Sequence, residues 1–306
     1  MASLRWLCVV VLLGAAAPLA RGQAALEWKL SKGDSFYVET TSTFKQSLKV
    51  PGKEVEVRQE VEYTAVLKYT VQDKGPDNTL VLEQRVEGLR LGRPGTTHTV
   101  ADDKLKGVAL VLTLNPKRQV VKVEKSGDLI KALSGDDSTV RRALEKVLSE
   151  EALKRSAAEL FAFLPGKDAK SWEREFQRPL GPLGSLSVRN QYTRKGKESA
   201  EGRTADRIEF TSSVTYRLPS KEEMKDSPFQ VVASKPGKKD APDGLKVEEA
   251  KGVIHFDADA GRLVAATTSL KLNGPLTIEL NKILLESVVQ QELTTKTRVL
   301  DRNPIK

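Results

Sequence analysis

The chain has 306 residues, 50 of them Lys or Arg and 41 Asp or Glu, for a formal charge of +9, with one cysteine and two histidines. That length supports one large domain or two of about 130 residues each, and the lone Cys8 excludes a disulfide framework or a thiolate metal site. Cations and anions are finely interspersed, which describes a solvated surface more than a nucleic-acid patch.

Residues 1–24 read as a signal peptide. Arg5 precedes an apolar run from Leu7 to Leu13, extended by Gly14 to Ala17, and Gly22-Gln23-Ala24 supplies small residues at a cleavage site before Ala25. The run is shorter than the roughly 20 residues a membrane span needs. The expectation is a soluble product, exported to the periplasm or beyond, with no membrane span after cleavage. Loss of Arg5 and Arg21 takes the charge from +9 to +7, and loss of Cys8 leaves a cysteine-free mature chain.

After Trp28 and a Lys32-Gly33-Asp34 turn, Phe36, Val38, Thr40, Ser42, Phe44 and Leu48 occupy alternate positions. Pro51-Gly52 then turns the chain into the most regular strand. Val55, Val57, Val61, Tyr63, Ala65, Leu67, Tyr69 and Val71 are all odd-numbered, with charged or amide side chains at most even positions between Glu54 and Gln72. One face of this hairpin is core and the other is wet. At about 3.3 Å per residue its second arm would be roughly 60 Å long if straight, so it must twist and coil. Leu80, Leu82 and Val86 continue the pattern, but Leu89 and Leu91 change parity, which predicts a bulge near Gly88. After a loop over 92–106, Val108 to Leu114 and Val120 to Val123 form a hairpin about Asn115-Pro116-Lys117-Arg118.

The segment 126–165 changes character. Val140, Leu144, Val147 and Leu148 make one apolar stripe at helical spacing, and Leu153, Ala157, Leu160, Phe161 and Leu164 make another. Helices are predicted near 127–133, 138–148 and 150–163, with Ser126, Asp137 and Ser149 as N-caps and Ser134-Gly135 and Pro165-Gly166 as stops. Both stripes need a partner, and the flanking strands supply it. Strands resume at Trp172 and Phe176, then at Leu186, Val188 and Tyr192, and at Ile208, Phe210, Val214 and Tyr216. A charged excursion at about 219–244 precedes strands over 247–256, 263–272, 276–280 and 285–299.

The predicted organisation is therefore mainly β: a long curved antiparallel sheet or open half-barrel in two strand-rich halves, 25–125 and 166–301, with a central helical insert and a tail at 302–306. The turns after Leu114 and Phe256 are both Asx-led hairpins. Related halves would account for that, as would reuse of hairpin chemistry.

No residues are singled out as catalytic, cofactor-binding or metal-binding. His98 and His255 lie far apart in sequence, and neither belongs to a nucleophile motif. Asp257-x-Asp259-x-Gly261 has the opening of a calcium loop without its closing Glu, and a hairpin turn explains the same residues. The basic runs from Arg194 and Lys235 lack interleaved aromatics and read as solvated loops, with no nucleic-acid partner. These features point away from an enzyme. A curved sheet packed on helices suits a non-catalytic binding protein for an apolar or amphiphilic envelope molecule, such as a lipid. The alternatives are a structural or adhesive module with a filled concavity, and a hydrolase using scattered carboxylates.

Trp28-Lys29-Leu30-x-x-Gly33-Asp34-x-Phe36-Tyr37, Leu114-Asn115-Pro116-Lys117-x-x-Val120-Val121-Lys122-Val123-Glu124 and Phe161-x-Phe163-Leu164-Pro165 with Trp172 stand in an order that resembles a family of secreted bacterial proteins of planctomycete type, the domain of unknown function numbered 6263. Where that family carries Gly-Asp before the Trp, this chain has Lys170-Ser171. The resemblance implies an extracytoplasmic bacterial protein and brings no site residues.

Overall fold

The computed structural model describes residues 25–49, 56–92, 105–165, 169–179, 184–220, 224, 230–232, 245–280 and 283–305. Five strands come first: β1 (Ser35–Lys49), β2 (Glu56–Lys74), β3 (Leu80–Gly92), β4 (Ala109–Leu114) and β5 (Val120–Glu124). Helices α1 (Ser126–Ser134), α2 (Ser138–Val147) and α3 (Glu150–Phe161) follow, then β6 (Ser171–Pro179), β7 (Ser185–Ala200), β8 (Arg203–Arg217), β9 (Gln230–Val232), β10 (Lys246–Asp257), β11 (Arg262–Leu280) and β12 (Ile283–Leu300). The strands join in one open antiparallel sheet in the order β5-β4-β3-β2-β1-β12-β11-β10-β8-β7-β6, with β9 paired to β11 beside that path.

The first half lays its strands outward from the centre, β1 to β5, and the second begins at the far edge with β6 and works inward to β12. The helical segment carries the chain from one edge to the other. The two Asx-led hairpins consequently occupy different places, β4–β5 at an edge and β10–β11 near the middle. Their likeness is turn chemistry: Asn115 Oδ1 accepts from the backbone of Lys117 and Gln119, and Asp257 Oδ1 from that of Asp259 and Ala260.

The sheet is curved, and the aromatic contacts show it. Tyr69 on β2 and Phe256 on β10 are four strand spacings apart, roughly 19 Å along a flat sheet. Both nevertheless reach one cluster: Tyr69 meets Phe161 at 5.8 Å, and Trp28 meets Phe161 at 5.2 Å and Phe256 at 5.5 Å. The sheet bends around α3 and the buried N-terminal residues Leu26, Trp28 and Leu30. The predicted bulge is present, with Glu87 as the extra residue between pairs Val66–Gly88 and Leu67–Val86. A Cβ on Gly88 would stand 2.3 Å from Ile305 Cδ1, so a glycine there lets the C-terminal tail lie against the outer face.

The helix ends hold two surprises. Ser149 caps α3 as expected, accepting from the Ala152 amide, and Asp137 accepts from Val140 at the start of α2. Ser126 is not a cap: α1 begins on it, and the N-cap position is Lys125 in a left-handed conformation. At its C-terminus α3 stops before Pro165, because side chains take over its carbonyls. Trp28 Nε1 donates to Phe161 O, Trp172 Nε1 to Phe163 O, and Arg174 to Ala162 O and Leu164 O.

The two helical stripes fare differently. On α3 the stripe is core, with Ala157, Phe161 and Leu164 buried and Leu153 and Leu160 packed against them. On α2 it is not: Val140 is 41% exposed and Leu144 only half-buried, because the inner face is already filled by α3 and the N-terminal segment. Val140→Asp is accordingly expected to change stability by less than about 0.5 kcal/mol, as measured by urea denaturation.

Two further expectations need correction. Arg194, read as part of a solvated run, is buried: it continues the inward parity of Leu186, Val188 and Tyr192, and only the extra residue Lys195 releases the strand to solvent. Within the charged excursion, Gln230–Val232 return to the sheet, where Val231 is buried against β11. The basic run from Lys235 lies outside the described residues, as do residues 93–104, His98 among them.

Candidate functional site

The inner face of the sheet can be followed in rows, because partners across an antiparallel ladder point to the same side. The uppermost row is closed: Tyr69 stacks on Phe36 at 5.3 Å, under α3. Two rows further along lie Ala65, Thr40, Thr297 and Ala266, followed by Tyr63, Ser42, Thr295 and Thr268. The next is apolar, with Val61, Phe44, Leu293, Leu270 and Ala250; then come Gln59, Gln46 and Gln291, then Val57, Leu48 and Val289.

α3 covers only the upper rows, and beyond it the face opens as a trough of about 1690 Å³. Small side chains make its floor, where Thr40, Thr268, Thr295 and Thr297 line the hollow. Tyr63 stands on one flank; Phe210 and Tyr192 stand on the other, with Phe210 lying over Gly252, where a Cβ would meet its ring at 2.4 Å. The hydroxyls pair among themselves, Ser42 with Thr295 at 2.9 Å and Thr40 with Thr297 at 3.4 Å. On β7 and β8, Ser212 donates to Asn190 Oδ1 at 2.6 Å and Asn190 donates to the Tyr192 hydroxyl at 2.8 Å. Burial pushes the Tyr192 phenol above its ordinary range, and that of Tyr69 well above, so both stay neutral donors.

Large apolar side chains of the inward parity stay in contact with solvent in the hollow, at Phe176, and beyond it. Val57 is 58% exposed, Leu91, which pairs with Tyr63, is 47% exposed, and Phe176 on β6 also lies open. A separate apolar cluster, Leu186, Val188, Leu272, Leu276 and Val289 with Val231 of β9, seals the far end of the second half. The trough thus lies between two filled cores. It could not be read from sequence, since Tyr63, which lines it, follows the same alternation as the buried Val71. The signal missing was where α3 stops.

Charged groups gather on the outer face. His255 Nε2 lies 2.5 Å from Glu198 Oε1, and Arg207 bridges Glu198 and Glu209. The hydrogen bonds from His255 and Arg207 hold the Glu198 carboxyl below its usual range. These partly exposed pairs contribute little to stability. Asp257 and Asp259 form the hairpin turn, with Gly261 at φ 64° and its carbonyl accepting from the Lys29 amide. Among the described residues no group of three or more His, Cys, Asp or Glu is placed to hold a metal ion, and no helix is long and apolar enough to cross a membrane.

A scan against protein-family models finds no match, and a search of the curated proteins finds none. Among solved structures the chain is similar to a lipovitellin described in terms of lipid–protein interactions, at 9% identity and a TM-score of 0.46, over 89% of this chain and 25% of that one. It therefore spans about a quarter of that protein. It is also similar to a Bacteroides fragilis protein with a YmcC-like fold, at 10% identity and a TM-score of 0.22 over 87% and 96% of the two chains. A DUF1329 family protein from Desulfovibrio piger matches at 12% identity and a TM-score of 0.14 over 86% and 85%. At these scores none of them bears on what this chain binds.

Proposed function

We propose that this chain is a non-catalytic, extracytoplasmic binding protein that holds an apolar or amphiphilic molecule in the trough between α3 and the inner face of β1, β2, β11 and β12. The observation that carries the reading is the uncovered inward lining of the trough, where Tyr63 and Phe176, 39% and 36% exposed, face open space instead of core. Exposed apolar side chains that line a concavity mark a binding surface more often than chance scatter does. The trough exceeds the roughly 300–1,000 Å³ of a small-molecule pocket, which suits a ligand with long alkyl parts. The export signal and the resemblance to secreted bacterial proteins belong to the same proposal.

Protein purified from its own cells should release a hydrophobic molecule on solvent extraction, in near-stoichiometric amount by native mass spectrometry. Emptied protein should bind an apolar fluorophore. Phe176→Lys, at a side chain that lines the trough, should weaken that binding about tenfold, the loss of one side chain's apolar contact. It should move the unfolding midpoint little, since Phe176 stands part-exposed on the edge strand β6. Folded protein that carries no ligand and takes up no fluorophore would leave a structural module in its place.

A further inference from the structure

The lining of the trough also restricts the chemistry of its occupant, an inference that rests on the trough being a ligand site. Its floor is polar but uncharged. Thr40, Thr268, Thr295 and Thr297 face the hollow at the centre, and Asn190 and Ser212 do so on one flank. Each hydroxyl can donate one hydrogen bond and accept two. The two threonine-row pairs, at 2.9 and 3.4 Å, use only part of that capacity.

The inward charges lie elsewhere. Arg174 is committed to the Ala162 and Leu164 carbonyls at the end of α3, and Arg194 and Asp206 form an ion pair buried outside the hollow. The other charged residues around the hollow stand on α3, on the N-terminal segment at Glu27 and Lys29, on the β4–β5 turn at Lys117 and Arg118, and at Lys74, while Glu175 and Lys251 are paired with Arg189 and Glu249. An ionised group on the floor would lose its water and find no counter-ion among the described residues there. A bare alkyl chain would desolvate the hydroxyls without replacing their partners.

We infer that the occupant is an uncharged amphiphile whose ester, amide or hydroxyl groups lie on the threonine floor while its alkyl part runs along Leu293 and Leu270. Acylglycerols have this chemistry, and fatty-acid anions and plain alkanes do not.

The test is displacement of a bound apolar fluorophore from the emptied full chain by three probes of equal chain length: monopalmitoylglycerol, palmitate at about pH 8, where carboxylates are ionised, and hexadecane. Monopalmitoylglycerol should displace at a concentration about tenfold lower than either of the others, the worth of one or two hydrogen bonds. The Thr268→Val/Thr295→Val variant should reduce that preference about fivefold or more and leave hexadecane unmoved. Thr40→Val/Thr297→Val provides a second pair should the first fail to fold. Equal displacement by all three probes, tighter palmitate, or a variant that weakens every probe alike would overturn the inference while leaving the trough a ligand site. A wild-type protein that binds no fluorophore would overturn the trough reading and this inference with it.

Discussion

Replacing Arg194 with Met should destabilise the folded protein by about 3–5 kcal/mol, a large part of the 5–15 kcal/mol that holds a typical domain together. The guanidinium meets Asp206 Oδ1 through Nε at 3.0 Å and Nη2 at 2.9 Å, and the two side chains are 0% and 1% exposed. Asp206 stands beside Phe256 across the ladder, with Ile208 next on its inward parity, both fully buried. Its second oxygen, Oδ2, has no hydrogen-bond partner among the described residues. Removing the arginine leaves a carboxylate in an apolar site, and that desolvation cost is what the substitution exposes. The double variant Arg194→Met/Asp206→Leu should recover more than half of the loss, because a buried pair taken out together leaves no stranded charge. Urea denaturation followed by tryptophan fluorescence measures both. A single-variant loss below about 1 kcal/mol would mean that water reaches the pair and that the inward parity of β7 ends before residue 194.

Arg194 also shows what could be read from the chain and what could not. Parity alone places it inward, in step with Leu186, Val188 and Tyr192, yet its composition reads as a basic surface run. The competition between period and residue type was decided by Asp206, twelve positions away, which parity also turns inward. Strand alternation worked best where both faces of the sheet are unambiguous, as along β2, and the parity change at Leu89 located a real bulge. Helical spacing found all three helices but could not rank their stripes. Which stripe is buried depends on which helix arrives at Trp28, and that is set by two indole hydrogen bonds, from Trp28 before the first strand and from Trp172 just after the helices. The return of β9 to β11 was illegible for a different reason: three residues are too few to carry a period. The trough was the least legible feature, being a space left by α3 and not a pattern in any segment.

Phe161→Ala should cost about 3–5 kcal/mol, the range for truncating a large buried aromatic whose site cannot fully collapse. Phe161 is fully buried, tilted against Trp28 at 5.2 Å and edge-on to Tyr69 at 5.8 Å, so it joins the N-terminal segment to β2. Its backbone carbonyl accepts the Trp28 indole, and the ring contact and the hydrogen bond hold the same end of α3. Truncation removes the first and loosens the second. Hydrogen exchange should therefore accelerate along α3 before it accelerates in the central strands β1 and β12, as expected of a helix held by one end. Leu133→Ala, at a side chain 37% exposed, provides the comparison and should cost well under half as much. Equal losses at the two positions would place the keystone of the inner face elsewhere. The comparison also tests the trough, because its closed end is the α3–Trp28–Phe161 contact. If α3 loosens in Phe161→Ala while the sheet stays folded, the apolar fluorophore should gain access to the upper rows and its binding should change in stoichiometry or affinity. A sheet that unfolds together with α3 would instead make the helix part of one cooperative core.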